Sequence, residues 1–496
     1  MRRVPFHFLE FLQGVDTQTQ PFLLVDDKLT ILDNCLVSYK LGAITKRLGY
    51  YKVGDTLQSG KTITGLHNFR QTASVQKILA TINNSDDTNL TLQYNNAGSW
   101  DPINVGSTYD GYEDAKTEME DFIGYCFIVG YDATDGVFLP VASLTGTTFS
   151  TSTNVTSMPQ GKYIKRYRDR LYVANCYTGG AAYPYRIYYS SVPSAGAISW
   201  TVSTDFLEVD YSEEVTGIGE NWDKMIVFTE FSAYMYNQDE KKKVWDIGCS
   251  NHRTIKNSGT HLLWANRDGV WDSTGGFPNN VAGRVIDFIK FGNPRNFFAE
   301  VVDEEYYLYV GTVTVNGITF TNTRLVYNIP TQTWRIEELY TNMKVFASYN
   351  DSGTLRLYMG DGAGIVWNQS KYTDTTKYYA DAYVDVNDTG QPIHAWFQSK
   401  PFDFKAPSTI KEFLEISAYA DRAMGLQLKA RVLDNNVSAL TEFKPLCELR
   451  KFITDKITVN PNKGNLLQIE GVENSKNPYF SFYGLSVIVG VDEEFK

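Results

Sequence analysis

Adjacent carboxylates occur at Asp26-Asp27, Asp86-Asp87, Glu213-Glu214 and Asp303-Glu304-Glu305. Two carboxyl groups facing one bond are what a glycosidase needs. Consecutive strand residues point to opposite faces, however, so these pairs read as solvated turns and strand ends. The histidines, His7, His67, His252, His261 and His394, form neither HxH nor HExxH, which gives metal chemistry no sequence signature. Cys35, Cys126, Cys176, Cys249 and Cys447 lie far apart, and only His252, three residues after Cys249, sits near one of them. Without CxxC spacing they predict neither a disulfide framework nor a zinc site.

Phosphate cradles are also missing. Met359-Gly360-Asp361-Gly362-Ala363-Gly364 is glycine-rich but falls between two strand-like segments, where a tight turn accounts for it. Asp268-Gly269-Val270-Trp271 is the nearest approach to a sialidase turn; it occurs once and lacks the serine and threonine. The reading is therefore a non-enzyme with no catalytic residues, no cofactor and no metal. Two basic clusters are candidate contacts to DNA or partner subunits: Lys165, Arg166 and Arg168, flanked by Lys162 and Arg170, and Lys241, Lys242 and Lys243. Tyrosines between 183 and 189 could stack on sugars or bases, but packing between sheets is the commoner use.

These residues need a frame, and the composition predicts an all-β one. The chain has 496 residues, 43% hydrophobic and 14% aromatic, with 33 Tyr, a profile that suits half-buried pleated surfaces. Its net charge of −11 disfavours tight, salt-sensitive binding to phosphates and is compatible with a wall past which DNA slides. Comparable apolar strands begin near Ile78, Phe127, Leu171, Met225, Leu262, Tyr306 and Leu355, a spacing of about 37–54 residues that fits the blades of a β-propeller of six to eight blades. Trp200, Trp334 and Trp367 each follow a turn and could fill the space between blades.

Residues 1–60 read as an N-terminal arm with the first strands, 61–385 as the propeller, and 386–496 as a β-sandwich-like C-terminal domain. Gly390-Gln391-Pro392 is the candidate boundary, and the strand 395–402 could bridge it. The best helix candidates are 112–122 and 283–291. The segment 95–120 resembles an insertion. The N-terminal run, broken by His7 and Glu10, does not read as a signal peptide, so a chain made in the cytoplasm and left unprocessed is expected. No window approaches eighteen apolar residues.

Gly14 to Pro21, Leu32, Asn34, Leu41-Gly42-Ala43 and Arg47-Leu48-Gly49-Tyr50 form an opening that resembles that of many phage virion proteins. Arg168-Asp169-Arg170-Leu171-Tyr172-Val173-Ala174-Asn175 with Ile187-Tyr188-Tyr189-Ser190, then Met225-Ile226-Val227-Phe228-Thr229-Glu230 and Asn266-Arg267-Asp268-Gly269-Val270-Trp271, continue the similarity. Over 12–60 and 160–275 the chain resembles the tail nozzle and packaged-DNA stabilisation, or stopper, proteins of short-tailed bacteriophages. That resemblance implies a structural protein of the virion tail: a homo-hexameric ring that continues the DNA channel below portal and adaptor and retains DNA until ejection. It also implies contacts to adaptor and portal-side rings, fibres or spikes, and passing double-stranded DNA. Two long polar segments are candidate channel-gate loops, one with Ser107, Tyr109, Asp110 and Tyr112 and one with Thr312, Thr314, Asn316 and Thr319. The alternative is a propeller-type adhesin that binds a host receptor or glycan.

Overall fold

The computed structural model describes residues 2–9, 11–38, 42–72, 75–237, 240–351, 353–374, 380–384, 390–406, 408–421, 425–433, 444–449, 456–457, 463–476 and 480–491. The described chain is nearly all β. Seven antiparallel units follow one another, spanning 63–103, 116–150, 160–208, 215–245, 256–280, 298–338 and 343–369. The first six supply four principal strands each; the seventh supplies three and takes Tyr50–Lys52 as its fourth.

The first strands of these units touch in a cycle. Ile63–Arg70 contacts Lys116–Phe122, and contact then passes through Gln160–Tyr167, Val215–Asn221, Lys256–Ser258, Phe298–Val302 and Met343–Asp351, which meets Ile63–Arg70 again. The seven residues that mark the sequence period all fall on or beside the same kind of element: each lies in the second strand of its unit. Those strands are buried on both faces because neighbouring units cover them, which is why Met225-Ile226-Val227-Phe228 runs apolar without alternation. Trp200 is buried with Phe122 and Phe127 of the second unit and Leu171 of the third. Trp334 packs with Leu263 and Val270 of the fifth unit, and Trp367 with Phe298 and Tyr307 of the sixth. Trp245 and Trp264 stack at 5.6 Å between the fourth and fifth units.

The N-terminal residues contribute strands that pair with those of the C-terminal region. Arg2–Leu9 and Ala43–Lys46 both pair with the C-terminal strand Ser481–Val491, which also pairs with Lys411–Asp421. Leu29–Asp33 pairs with Ile393–Ser399 on one side and touches the outer strand of the sixth unit in parallel on the other, Asp33 opposite Ile336. The sheet thus runs from the sixth unit through Ile393–Ser399 to Leu466–Ser475 and Leu426–Leu433. One core, with Phe8 stacked on Phe402 at 3.8 Å, joins both ends of the chain to the fifth and sixth units. The division at 385/386 lies outside the described residues.

Two further expectations are corrected. In the helix candidate 112–122, residues 116–122 are the first strand of the second unit, because Thr117, Met119 and Phe122 are buried on the pleat. The 95–120 segment is likewise the end of one unit and the start of the next, with Ser99–Ile103 as an outer strand. The other helix candidate does form one, α1 (Ile286–Phe291), with Ile286, Phe288 and Ile289 buried.

The connection between arm, sixth unit and seventh unit is held by a buried polar knot. Arg47 donates to both carboxylate oxygens of Asp381 at 2.7 and 2.6 Å, to the Glu338 carbonyl at 2.7 Å and to Asn34 Oδ1 at 2.7 Å. Asn34, in the left-handed region at φ 52°, also accepts from the Glu338 amide and donates to the His394 carbonyl. A Cβ on Gly49 would lie 1.6 Å from the Ala380 carbonyl oxygen, so only glycine permits this approach. Tyr50 is fully buried, edge-on to Trp367, and shares a hydrogen bond with Thr341 Oγ1 at 3.0 Å. Removing Arg47 leaves Asp381 buried and unpaired, so Arg47→Ala is expected to cost about 3–5 kcal/mol, read as a lowered midpoint in thermal or denaturant unfolding; an unchanged midpoint would mean the knot carries no weight.

Candidate functional site

Where the seven first strands converge they enclose a polar axial cavity of about 440 Å³. Glu118 and Glu120 come from the second unit, Lys165 from the third, Lys256 from the fifth and Glu300 from the sixth, with His67 and Ser348 from the first and seventh. At the other end of the axis lies a mouth of about 740 Å³ bordered by Thr64, Asp114, Lys116, Asn293, Thr312 and Lys344. Arg253 borders both.

Arg253 sits in a 3-10 turn, His252–Thr254, whose start is capped by Asn251 accepting from the Arg253 amide at 3.0 Å. Asn251 in turn donates to the carbonyls of Arg295 and Phe297. From this fixed base the guanidinium crosses the axis. Nε donates to Glu118 Oε1 at 2.7 Å, and Nη2 to the carbonyls of Thr64 at 2.8 Å and Thr117 at 2.9 Å. One side chain from between the fourth and fifth units therefore ties down the first and second.

The axial charges are matched in pairs. Lys165 lies 3.6 Å from Glu120, and Lys256 bonds Glu300 at 3.0 Å. Burial opposes the charge on Glu118, yet the Arg253 guanidinium holds its carboxyl below the usual range. Burial pushes His252 down to about 4 against the pull of Glu118. Its Nδ1 lies 3.3 Å from the Ile218 amide, which donates to it and favours the neutral ring. An axis compensated in this way attracts neither sign of ligand strongly.

The candidate gate segments divide. Tyr109 is fully buried, edge-on to Phe149, and Tyr112 packs against the same cluster. The Tyr109 carbonyl accepts from the Leu90 amide. This stretch is a packed strap, and Tyr109 is a core residue and not a gate residue. Ser107 and Asp110 are exposed beside it. The second segment is no loop: Glu305–Val315 and Ile318–Asn328 form one long hairpin turning at Asn316-Gly317. Val313, Val315 and Phe320 are buried in the core that includes α1, with Phe320 5.0 Å from Phe288. Thr312, Thr314, Asn316 and Thr319 are exposed, and Thr314 and Thr319 share a hydrogen bond at 3.0 Å. Asp114, just beyond the first segment, and Thr312 border the same axial mouth.

Most basic candidates are partnered. Lys165 faces the axis, and the Arg166 guanidinium lies over the Phe122 ring at 5.6 Å. Arg168 donates to the Asp223 carbonyl at 2.9 Å, Lys241 bonds Asp210 at 3.2 Å and Lys243 bonds Asp246 at 2.8 Å. Lys242 borders an open groove of about 500 Å³ with Asp223, Lys224 and the exposed Trp222, whose Nε1 donates to the Thr274 carbonyl at 2.9 Å. Asp223 thus accepts from Arg168 of one cluster and borders the same groove as Lys242 and Lys243 of the other. Sequence reasoning missed Arg253 as the axial residue: its partner Glu118 lies 135 positions away, and no local spacing signals such a pair.

His252 supplies a pH test. The unfolded chain takes up a proton near pH 6.5, whereas the folded chain refuses it until about 4, so this contribution to stability is whole above about pH 6.5 and is lost as pH falls from there toward 4. Unfolding midpoints of the wild type should drop across that window, and the drop should be smaller in His252→Gln; equal slopes in both would refute the assignment.

No protein-family model matches the chain, and no curated protein does. Solved structures that it is similar to include the AfRom2 CNH domain, at 9% identity and a TM-score of 0.39, covering 66% of this chain and 100% of that one.

Proposed function

We propose that the seven units are blades of a closed seven-bladed β-propeller and that the chain is a structural subunit of a short bacteriophage tail. In this reading six copies form a nozzle or stopper ring below portal and adaptor, and the ring, not the axis of any one subunit, continues the DNA channel. The protein is made in the host cytoplasm, resides in the virion tail and performs no catalysis. The observation that supports the reading is the cycle of first strands, in which Met343–Asp351 meets Ile63–Arg70 and which Arg253 crosses, with Tyr50–Lys52 supplying the last unit's fourth strand. A body tied shut in this way is a rigid wall on which a gate can be hung. The hairpin around Asn316 supports the second half: it projects exposed threonines from a buried base. The net charge of −11 keeps a wall from gripping passing phosphates.

The exposed Trp222 favours the adhesin as the second reading, since a fixed indole beside an open groove offers a stacking face to a sugar. Electron cryo-microscopy of whole virions separates the two: the first expects a six-fold ring around the DNA path, the second a subunit away from it. Within the ring reading, deleting residues 314–319 should leave particles assembled while nuclease-accessible DNA rises several-fold; intact retention would remove the hairpin from the gate.

A further inference from the structure

His67, Asp121 and Cys126 converge although nothing in their sequence spacing relates the histidine to the other two. Asp121 and Cys126 are directly opposed across the hairpin formed by Lys116–Phe122 and Tyr125–Asp132 in the second unit, so their side chains share one face. His67 comes from the first strand of the first unit. Its Nε2 lies 2.8 Å from Asp121 Oδ1, and the other oxygen, Oδ2, accepts the Arg70 amide at 2.7 Å. The imidazole, carboxylate and thiol ligand atoms all lie within 4.8 Å of one another. Cys126 is fully buried, whereas the His67 and Asp121 side chains keep 21% and 26% of their exposure, and His67 borders the axial cavity.

We propose that His67, Asp121 and Cys126 form a zinc site that staples the first and second units together, with its fourth position open to water from the axial cavity. The donor set is one nitrogen, one oxygen and one sulfur. Hard cations such as magnesium and calcium avoid a thiolate, while zinc accepts all three donors. Zinc bonds of about 2.0–2.3 Å put two tetrahedral ligands roughly 3.3–3.8 Å apart. Small rotations about the side-chain torsions close the remaining gap. The Arg70 amide fixes the carboxylate from behind, the usual role of an outer hydrogen bond at a metal. Binding breaks the His67–Asp121 hydrogen bond and forms bonds from zinc to Nε2, a carboxylate oxygen and Sγ. The Cys126 thiol loses its proton to solvent, so each ion bound releases at least one proton. A plain hydrogen-bonded His67–Asp121 pair beside a core cysteine is the competing account, and it predicts no metal.

The test uses the full-length chain purified without a histidine tag, stripped with chelator, incubated with zinc chloride and dialysed. One zinc per chain by elemental analysis is expected, together with a raised unfolding midpoint. Cobalt(II) in place of zinc should give a thiolate-to-metal charge-transfer band that Cys126→Ser abolishes. His67→Gln, which alters a partly exposed side chain, should weaken zinc binding at least about tenfold, whereas Cys176→Ser, at another buried thiol, should leave it unchanged. If Cys126→Ser does not fold, His67→Gln and the cobalt spectrum of the wild type decide. Zinc well below one per chain, or zinc retained equally by His67→Gln, would overturn the proposal.

Discussion

The knot around Arg47 is the interaction on which the remainder rests. A guanidinium buried away from water is tolerated only with its charge and its donors matched. Here it gains both carboxylate oxygens of Asp381, the Glu338 carbonyl and Asn34. Those partners belong to segments far apart in the chain, so satisfying one side chain fixes where the N-terminal residues enter, where the sixth unit ends and where Tyr50–Lys52 joins the seventh. Next to it a second buried group repeats the device. Arg324 and Arg335 flank Glu337, whose carboxyl they hold at about 2 despite burial, and Arg335 also takes Glu305.

The same matching of buried polar groups recurs where the first strands meet. Tyr50–Lys52 is the edge strand of the seventh unit, and its outer side is met by the Tyr383 backbone, which accepts from the Lys52 amide and donates to the Tyr50 carbonyl. The first strands, meanwhile, converge where polar side chains cannot all reach water. Their charges are met by one another: Arg253 with Glu118, Lys165 with Glu120, Lys256 with Glu300. The axis is thus a place of internal cross-linking.

A good part of this was legible in the sequence because strands leave a local record. The apolar runs near Met225 and Leu262 mark second strands by burial on both faces, and Val285, Ile286, Phe288 and Ile289 mark α1 by spacing. Errors arose where a local pattern served a distant partner. The stretch from 112 to 122 has charged residues at helical intervals, yet its strand state is set by pairing with Tyr125–Asp132 and by neighbours in the first and third units. Thr312 to Thr319 looks polar and loop-like, but its apolar residues alternate inward onto α1.

By itself, then, the amino-acid sequence determined the β character, the period of the units and a helix around Ile286–Phe291, because propensity and alternation act between near neighbours. Only the tertiary structure decided that both ends of the chain share one core, that Tyr50–Lys52 completes the last unit, that Tyr109 is buried, and that Arg253 crosses the axis to Glu118. Each of these depends on residues more than a hundred positions apart or on the packing of neighbouring sheets, and such meetings have no local energetic trace in a linear chain.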